Sequence, residues 1–231
     1  MCGISGYIGK ETIAPPIIHQ ALGLMRNRGP DHQDYRYIEQ NGINIYLLHS
    51  RLSIIDLDKR ANQPFTLDSC TLIFNGEIYN YIELREDLKK QGIECITASD
   101  TEILLRYYLL HGEDCVKYFE GMWAFAIYDK RDNKLFLSRD RFAEKPLYYY
   151  QTRDGFYYGS EIKFIKCLSR KSLAINQKHL LRYLVQGYKS LNKTEDTFFE
   201  EISEIKYATN VIINFNLKIR SYHYWVPTSE I

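Results

Sequence analysis

Apolar residues fall into short alternating runs along most of the chain and switch to helical spacing at a few places. Residues 3–9 (Gly-Ile-Ser-Gly-Tyr-Ile-Gly) predict a glycine-rich strand that starts almost at the N-terminus. Over about 15–25, Ile17, Ile18, Ala21, Leu22 and Met25 recur on one helical face. Prolines open that helix, in the first turn where a missing N–H costs nothing. Residues 27–34 read as a polar loop carrying Arg28-Gly29-Pro30-Asp31. Two apolar runs, 43–49 and 52–57, predict paired strands, and 71–74 predicts a strand running into Asn75-Gly76-Glu77.

A helix over about 80–91 stops at Gly92, which suits a left-handed C-terminal cap. Ser99 and Glu102 form the S-x-x-E capping box of a helix ending near Gly112, with Ile103, Leu104, Tyr107 and Tyr108 on one side. Residues 123–129 are apolar on both faces, as a strand between two layers would be. A turn at 130–134 leads to 135–138, and 147–151 with 156–159 make a second hairpin. Asn176 caps a helix to 186, and strands at 210–215 and 219–224 follow. No internal repeat, low-complexity tract or flexible linker interrupts the chain before about Ser190. This mixed order, rich in hairpins, predicts an α+β fold with antiparallel sheets packed on helices.

Composition narrows the class. A chain of 231 residues makes one large domain or two small ones, burying about 70 % of its unfolded surface. With 45 % hydrophobic and 26 % charged residues, extended disorder is excluded. Thirty Lys+Arg against 29 Asp+Glu leave +1, which offers no footprint for nucleic acid or an acidic membrane surface. No apolar run approaches the roughly 20 residues that span a bilayer. The N-terminus lacks the basic region and apolar segment of a signal peptide, so a cytoplasmic location without membrane or nucleic-acid partners is expected. The five cysteines are scattered and form no C-x-x-C pair, and the six histidines do not fall at ligand spacings near them. Neither a disulfide framework nor a metal site is expected. Cys70, Cys95, Cys115 and Cys167 read as small buried hydrophobes, and the 20 tyrosines as packing.

Cys2 reads differently. Initiator methionine is usually removed before a small second residue, leaving a cysteine with both a thiol and a free α-amine. The thiol titrates at about 8.5 and the amine at about 7.7–8.0, so moving a proton between them costs about 1 kcal/mol or less. The amine can then serve as base for its own side chain, without a histidine. Gly3 lets a substrate approach the backbone closely. Asn75 and the Gly76 N–H, at a strand end, make a workable oxyanion hole. Arg51 can bind a carboxylate through two parallel hydrogen bonds, and Glu77 and Asp100 can accept from an α-ammonium. Together these groups suit a zwitterionic amino acid whose side-chain amide is cleaved. Singly, each has a plainer reading: Cys2 is an accident of sequence, Asp100 a carboxylate in a helix's first turn.

The segments Met-Cys-Gly-Ile-Ser-Gly (1–6), Arg-Gly-Pro-Asp (28–31), Arg-Leu-Ser-Ile-Ile-Asp (51–56) and Gln-Pro-Phe (63–65) occur in order. Phe-Asn-Gly-Glu-Ile-Tyr-Asn (74–80), Ser-Asp-Thr-Glu (99–102) and Phe-Glu-Gly-Met-Trp-Ala-Phe-Ala-Ile-Tyr-Asp (119–129) follow. Ser-Arg-Asp-Arg-Phe (138–142), Lys-Pro-Leu-Tyr-Tyr (145–149) and Ser-Glu-Ile-Lys (160–163) complete the series. In these the chain resembles the glutamine-hydrolysing domain of asparagine synthase, a class II glutamine amidotransferase of the N-terminal-nucleophile hydrolase superfamily.

The resemblance implies a four-layer αββα sandwich of two mainly antiparallel sheets. It implies Cys2 as nucleophile through a glutamyl thioester, with Asn75 and Gly76 as the oxyanion hole. Arg51 would hold the glutamine α-carboxylate, Glu77 and Asp100 its α-ammonium, while Leu52, Ser53, Ile54 and Ile55 line the pocket through backbone groups. Residues 28–31 would form a supporting loop. Residues 2–217 would be the amidotransferase domain and 218–231 its last strand and the start of a connection to a synthetase domain. That domain's Ser-Gly-Gly-x-Asp-Ser loop is not in this sequence, so the chain is expected to be the ammonia-producing half. No cofactor is implied for glutamine hydrolysis; ATP and Mg belong to the synthetase domain. Glutamine and a synthetase domain or subunit are the implied partners, a homodimer is left open, and aspartate is the default ammonia acceptor. A non-catalytic glutamine-sensing or docking module is the alternative. Two departures stand out: Ala143 where the family usually has glycine, and Glu-Ile-Lys-Tyr-Ala-Thr (204–209) in place of a Leu-Pro-Pro-Gly-like turn.

Overall fold

The computed structural model describes residues 1–188 and 194–227. Ser190, where the linker-free stretch was expected to end, lies outside them, as do residues 228–231. In chain order the first half holds β1 (Gly3–Gly9), α1 (Pro15–Met25), β2 (His32–Gln40), β3 (Ile43–Arg51), β4 (Phe65–Leu67) and β5 (Cys70–Ile78). Next come α2 (Tyr81–Lys90), α3 (Asp100–His111), β6 (Gly121–Asp129) and β7 (Lys134–Arg139). β8 (Tyr148–Gln151), β9 (Gly155–Gly159), α4 (Ile162–Ser169) and α5 (Gln177–Gln186) follow, then β10 (Ile202–Glu204), β11 (Thr209–Asn214) and β12 (Ile219–His223). One six-stranded sheet has the order β10-β8-β9-β1-β3-β2, the other β12-β11-β7-β6-β5-β4. The pairings are antiparallel throughout.

Side-chain alternation along the strands builds the layers. Ile4 and Ile8 of β1, Ile45 and Leu47 of β3, Ile73 of β5 and Ala124 and Ala126 of β6 meet between the sheets. The opposite faces pack outward. Tyr7, Tyr46, Leu48 and Tyr157 meet Ile18, Ala21, Leu22 and Met25 of α1 and Phe164, Ile165 and Leu168 of α4. Leu72, Phe74, Trp123, Phe125 and Ile127 meet Leu84 and Leu88 of α2 and Ile103, Leu104 and Tyr107 of α3. The result is the four-layer α+β sandwich expected, with β6 apolar on both faces because layers cover both. Truncating an inter-sheet side chain such as Leu47 to alanine costs about 2–5 kcal/mol, because neither sheet can collapse independently. Among the described residues no helix is long and apolar enough to cross a membrane.

Several expectations need correction. Residues 52–57 form no strand: Ile54 is 62 % and Leu57 78 % exposed, and Arg51 takes the carbonyls of Ile55, Asp56 and Asp58. The partner of β3 is β2, whose His-Gln-Asp-Tyr-Arg-Tyr-Ile-Glu-Gln composition hides it because an edge strand buries little. Helix α4, and the short strands β4 and β10, carry no clear signal. The Ser99 hydroxyl caps α3 through the Thr101 N–H. Glu102 instead reaches back to the N–H groups of Ile96 and Thr97 at 3.0 and 2.6 Å, pinning the entry loop. Cys70 and Cys115 are buried, whereas Cys95 and Cys167 are only half-buried. Ala143 adopts φ 57°, in the left-handed region where glycine is relaxed. In the divergent 204–209 stretch, Glu204 pairs with Arg139 at 2.8 Å and the Ala208 N–H donates to the Asp140 carbonyl at 2.7 Å.

Candidate active site

The parity that fills the inter-sheet core also points a row of polar groups into one end of it. Gly3 faces Ser50 across the β1–β3 pair, so one step earlier Cys2 comes level with Arg51. Asn75 and Glu77 share the inward parity of Ile73 on β5, and Asp100 is the first residue of α3. Cys2, Arg51, Leu52, Ile54, Ile55, Asn75, Gly76, Glu77 and Asp100 line one cleft with an interior of about 60 Å³, with Met1 at its wall. Ser53 is not among the lining residues; its N–H donates to Asp31 Oδ2 at 2.7 Å.

The Cys2 thiol accepts from the Leu52 N–H at 3.4 Å and lies 3.6 Å from the Leu52 carbonyl. Burial raises its pKa, against the lowering effects of the Leu52 N–H, the terminal amine and Arg51. Burial thus favours the thiol over the thiolate. Arg28 Nε donates to the Cys2 carbonyl at 2.8 Å, and its Nη1 pairs with Glu161 at 3.1 Å. Gly29 makes this contact achievable, since a Cβ there would collide with the Ser50 carbonyl.

Asn75 is 1 % exposed, and its Nδ2 has no hydrogen-bond partner among the described residues. A buried N–H left unpaired costs about 1–3 kcal/mol. Such a group is expected where an acceptor arrives with substrate. Gly76 must be glycine, because a Cβ would meet the Met122 carbonyl.

Asp100 is buried; Oδ2 accepts from the Ile78 N–H at 3.1 Å and Oδ1 from the Ser99 hydroxyl at 3.3 Å. Burial, reinforced by the nearby Glu77 carboxylate, pushes its pKa up to about 6. Arg51 is more committed than its sequence position signals. Nη1 donates to the Asp58 carbonyl at 3.1 Å and to Asn62 Oδ1 at 2.6 Å, and Nη2 to the Ile55 and Asp56 carbonyls. Of the five guanidinium donors, Nε remains outside these bonds. Arg51 thus anchors residues 52–58 over the cleft.

Gln63, Thr101 and Lys145 also line the cleft, and sequence reasoning assigned them no role. Gln63 and Lys145 were visible only as members of Gln-Pro-Phe and Lys-Pro-Leu-Tyr-Tyr, because hydropathy cannot signal a polar side chain buried by tertiary contact. Among the described residues no group of three His, Cys, Asp or Glu side chains could hold a metal ion.

A family model described as "Glutamine amidotransferase domain" matches residues 1–225. The chain belongs to this family. A putative asparagine synthetase [glutamine-hydrolyzing] 2 of Methanocaldococcus jannaschii is 35 % identical over 246 residues, covering 97 % of this chain and 46 % of the relative. Asparagine synthetase [glutamine-hydrolyzing] 1 of Bacillus subtilis is 38 % identical over 191 residues, covering 80 % and 29 %. The chain therefore spans less than half the length of these relatives, and is the glutamine amidotransferase domain of asparagine synthase-like proteins. The glutamine phosphoribosylpyrophosphate amidotransferase of Bacillus subtilis, solved with ADP and GMP, superposes with a TM-score of 0.69 at 17 % identity. It covers 98 % of this chain and 50 % of that one. At that identity the likeness speaks to the fold alone, the four-layer α+β sandwich of two antiparallel sheets.

Proposed function

We propose that this amidotransferase domain hydrolyses glutamine to glutamate and ammonia through a thioester on Cys2, after Met1 has been removed. The observation that carries the reading is the buried Asn75 Nδ2, without a hydrogen-bond partner among the described residues, in the same cleft as the Cys2 thiol. While Met1 is attached, the Cys2 nitrogen is an amide and cannot act as a base. Once freed, the α-amine takes the thiol proton as sulfur attacks the side-chain carbonyl of glutamine. The negative charge on the carbonyl oxygen falls to Asn75 Nδ2 and the Gly76 N–H, each such donor being worth about 2.7–4 kcal/mol. The protonated amine returns its proton to the departing nitrogen, ammonia leaves, and water cleaves the thioester to glutamate.

Recognition divides by charge. Glu77 and Asp100 accept from the α-ammonium. Arg51 meets the α-carboxylate through Nε and through whatever Nη donors residues 52–58 release, while the backbone of Leu52, Ser53, Ile54 and Ile55 closes over the substrate. The ammonia passes to a synthetase domain with asparagine as product, a reading supported by the relatives' names; ATP and Mg in that domain and aspartate as acceptor follow from the sequence resemblance alone. Glutamate and ammonia release by the purified protein and by Cys2→Ala, with intact masses, tests the hydrolysis. Equal amounts of both products, absent from the variant, are expected. Turnover retained in Cys2→Ala overturns the reading.

A further inference from the structure

Phe74 stands immediately before Asn75, and buried side chains rather than a neighbouring strand satisfy both of its main-chain polar groups. Its N–H donates to Gln63 Oε1 at 2.6 Å, and its carbonyl accepts from His49 Nε2 at 3.1 Å. The register of β4 on β5 runs from Leu67–Cys70 to Phe65–Leu72, so beyond Leu72 this edge of β5 has no strand beside it among the described residues. Alternate residues of a strand direct their N–H and C=O groups to the same side. Ile78, two pairs further on, sends its N–H from this edge to Asp100 Oδ2. Gly76, between them, therefore turns its N–H to the same edge, on which the cleft opens.

Gln63 is 5 % exposed and His49 fully buried. A carbonyl can only accept, so His49 carries its proton on Nε2; burial lowers its pKa to about 3 and keeps the ring neutral. His49 belongs to β3, in the sheet that carries Cys2, and Phe74 to β5, in the sheet that carries Asn75. Their hydrogen bond is a direct tie between the nucleophile's sheet and the oxyanion hole's sheet. Gln63 extends the tie: with its oxygen on Phe74, its Nε2 donates to Thr101 Oγ1 at 3.3 Å, in the first turn of α3 beside Asp100.

We propose that Gln63 and His49 are positioning residues for the oxyanion hole. They fix the strandless edge of β5 at Phe74, and so set the separation between the Cys2 sulfur and the donors Asn75 Nδ2 and Gly76 N–H. The inference rests on the glutaminase reading above. A misplacement of about 1 Å at a reacting centre can cost about 100-fold in rate, so the loss appears in kcat rather than in glutamine binding.

The test compares wild type, Gln63→Met, His49→Leu and His49→Gln, in which the last can still offer an N–H to the Phe74 carbonyl. Glutaminase kcat and KM are measured per Cys2 that reacts with iodoacetamide, counted by peptide mass, alongside melting temperature. Gln63→Met and His49→Leu should lose about 10- to 100-fold in kcat with KM within about threefold, and His49→Gln should stay within about threefold of wild type. Should either disruptive variant fail to fold, Gln63→Asn, whose amide is withdrawn by one methylene, is expected to show the same loss. Unchanged kcat per reactive Cys2 in the disruptive variants, with an active wild type, overturns this inference alone. An inactive wild type with a mature Cys2 terminus overturns the functional reading and this inference with it.

Discussion

Arg28 Nε donates to the main-chain carbonyl of Cys2 at 2.8 Å, across 26 positions of sequence. The residue bearing the thiol is thereby held at its backbone while its side chain stays free to react. Glu161 completes the brace by pairing with Arg28 Nη1, and Gly29 permits the loop to lie against the end of β3.

Arg28→Lys tests that brace, because lysine keeps the charge but loses the fork that reaches two acceptors at once. The variant should lower glutaminase kcat about 10- to 100-fold while leaving KM for glutamine near wild type. Steady-state kinetics with glutamate detection checks it, and wild-type kcat would show that the Cys2 backbone needs no such support.

Asn75→Ala separates activity from stability. Removing the proposed oxyanion donor should cost about 10²–10³ in kcat, yet the deleted Nδ2 has no partner among the described residues to lose. The melting temperature should therefore hold or rise slightly. A steep fall in melting temperature would mean that the amide is structural.

The site should be acid-sensitive through Asp100. Its pKa is raised to about 6 by burial first and by Glu77 second, so the carboxylate proposed to receive the α-ammonium is ionised above pH 6 and protonated below it. KM for glutamine should climb as pH falls from 7 to 5. The stability effect has the opposite sense: the folded state holds this proton more tightly than the unfolded state, so Asp100 favours folding at low pH and that benefit fades as pH rises through 6. Asp100→Asn should thus weaken glutamine binding while raising the melting temperature at pH 7, readable by calorimetry of both processes.

Ala143→Gly should stabilise the protein by about 0.5–1 kcal/mol. The left-handed conformation costs an alanine about 1–2 kcal/mol, only partly offset by the greater unfolded-state freedom of glycine. Denaturant unfolding of the two proteins gives the difference directly.

How legible the molecule was depended on whether a signal is local. Helix α1 falls at residues 15–25 as read, because its apolar spacing and opening prolines are encoded within the element. Strand β6 was recognisable for the same reason. By contrast β2, an edge strand of polar composition, and residues 52–57, apolar but exposed, invert the usual link between hydropathy and burial. In the second case the cause is Arg51, whose Nη groups bond the carbonyls that a strand would have paired elsewhere.

The chain order of motifs already named the candidate groups: a processable Cys2, a carboxylate-binding Arg51, an amide at Asn75, and acids at Glu77 and Asp100. Those identities are chemical and need no coordinates. Only the tertiary structure decided that Cys2 comes level with Arg51 on one sheet, that Asn75 Nδ2 is buried on the other without a partner among the described residues, and that His49 and Gln63 hold Phe74 between them. Long-range strand pairing and sheet packing set these relations, joining residues dozens of positions apart. No spacing along the sequence records the distance across two packed sheets.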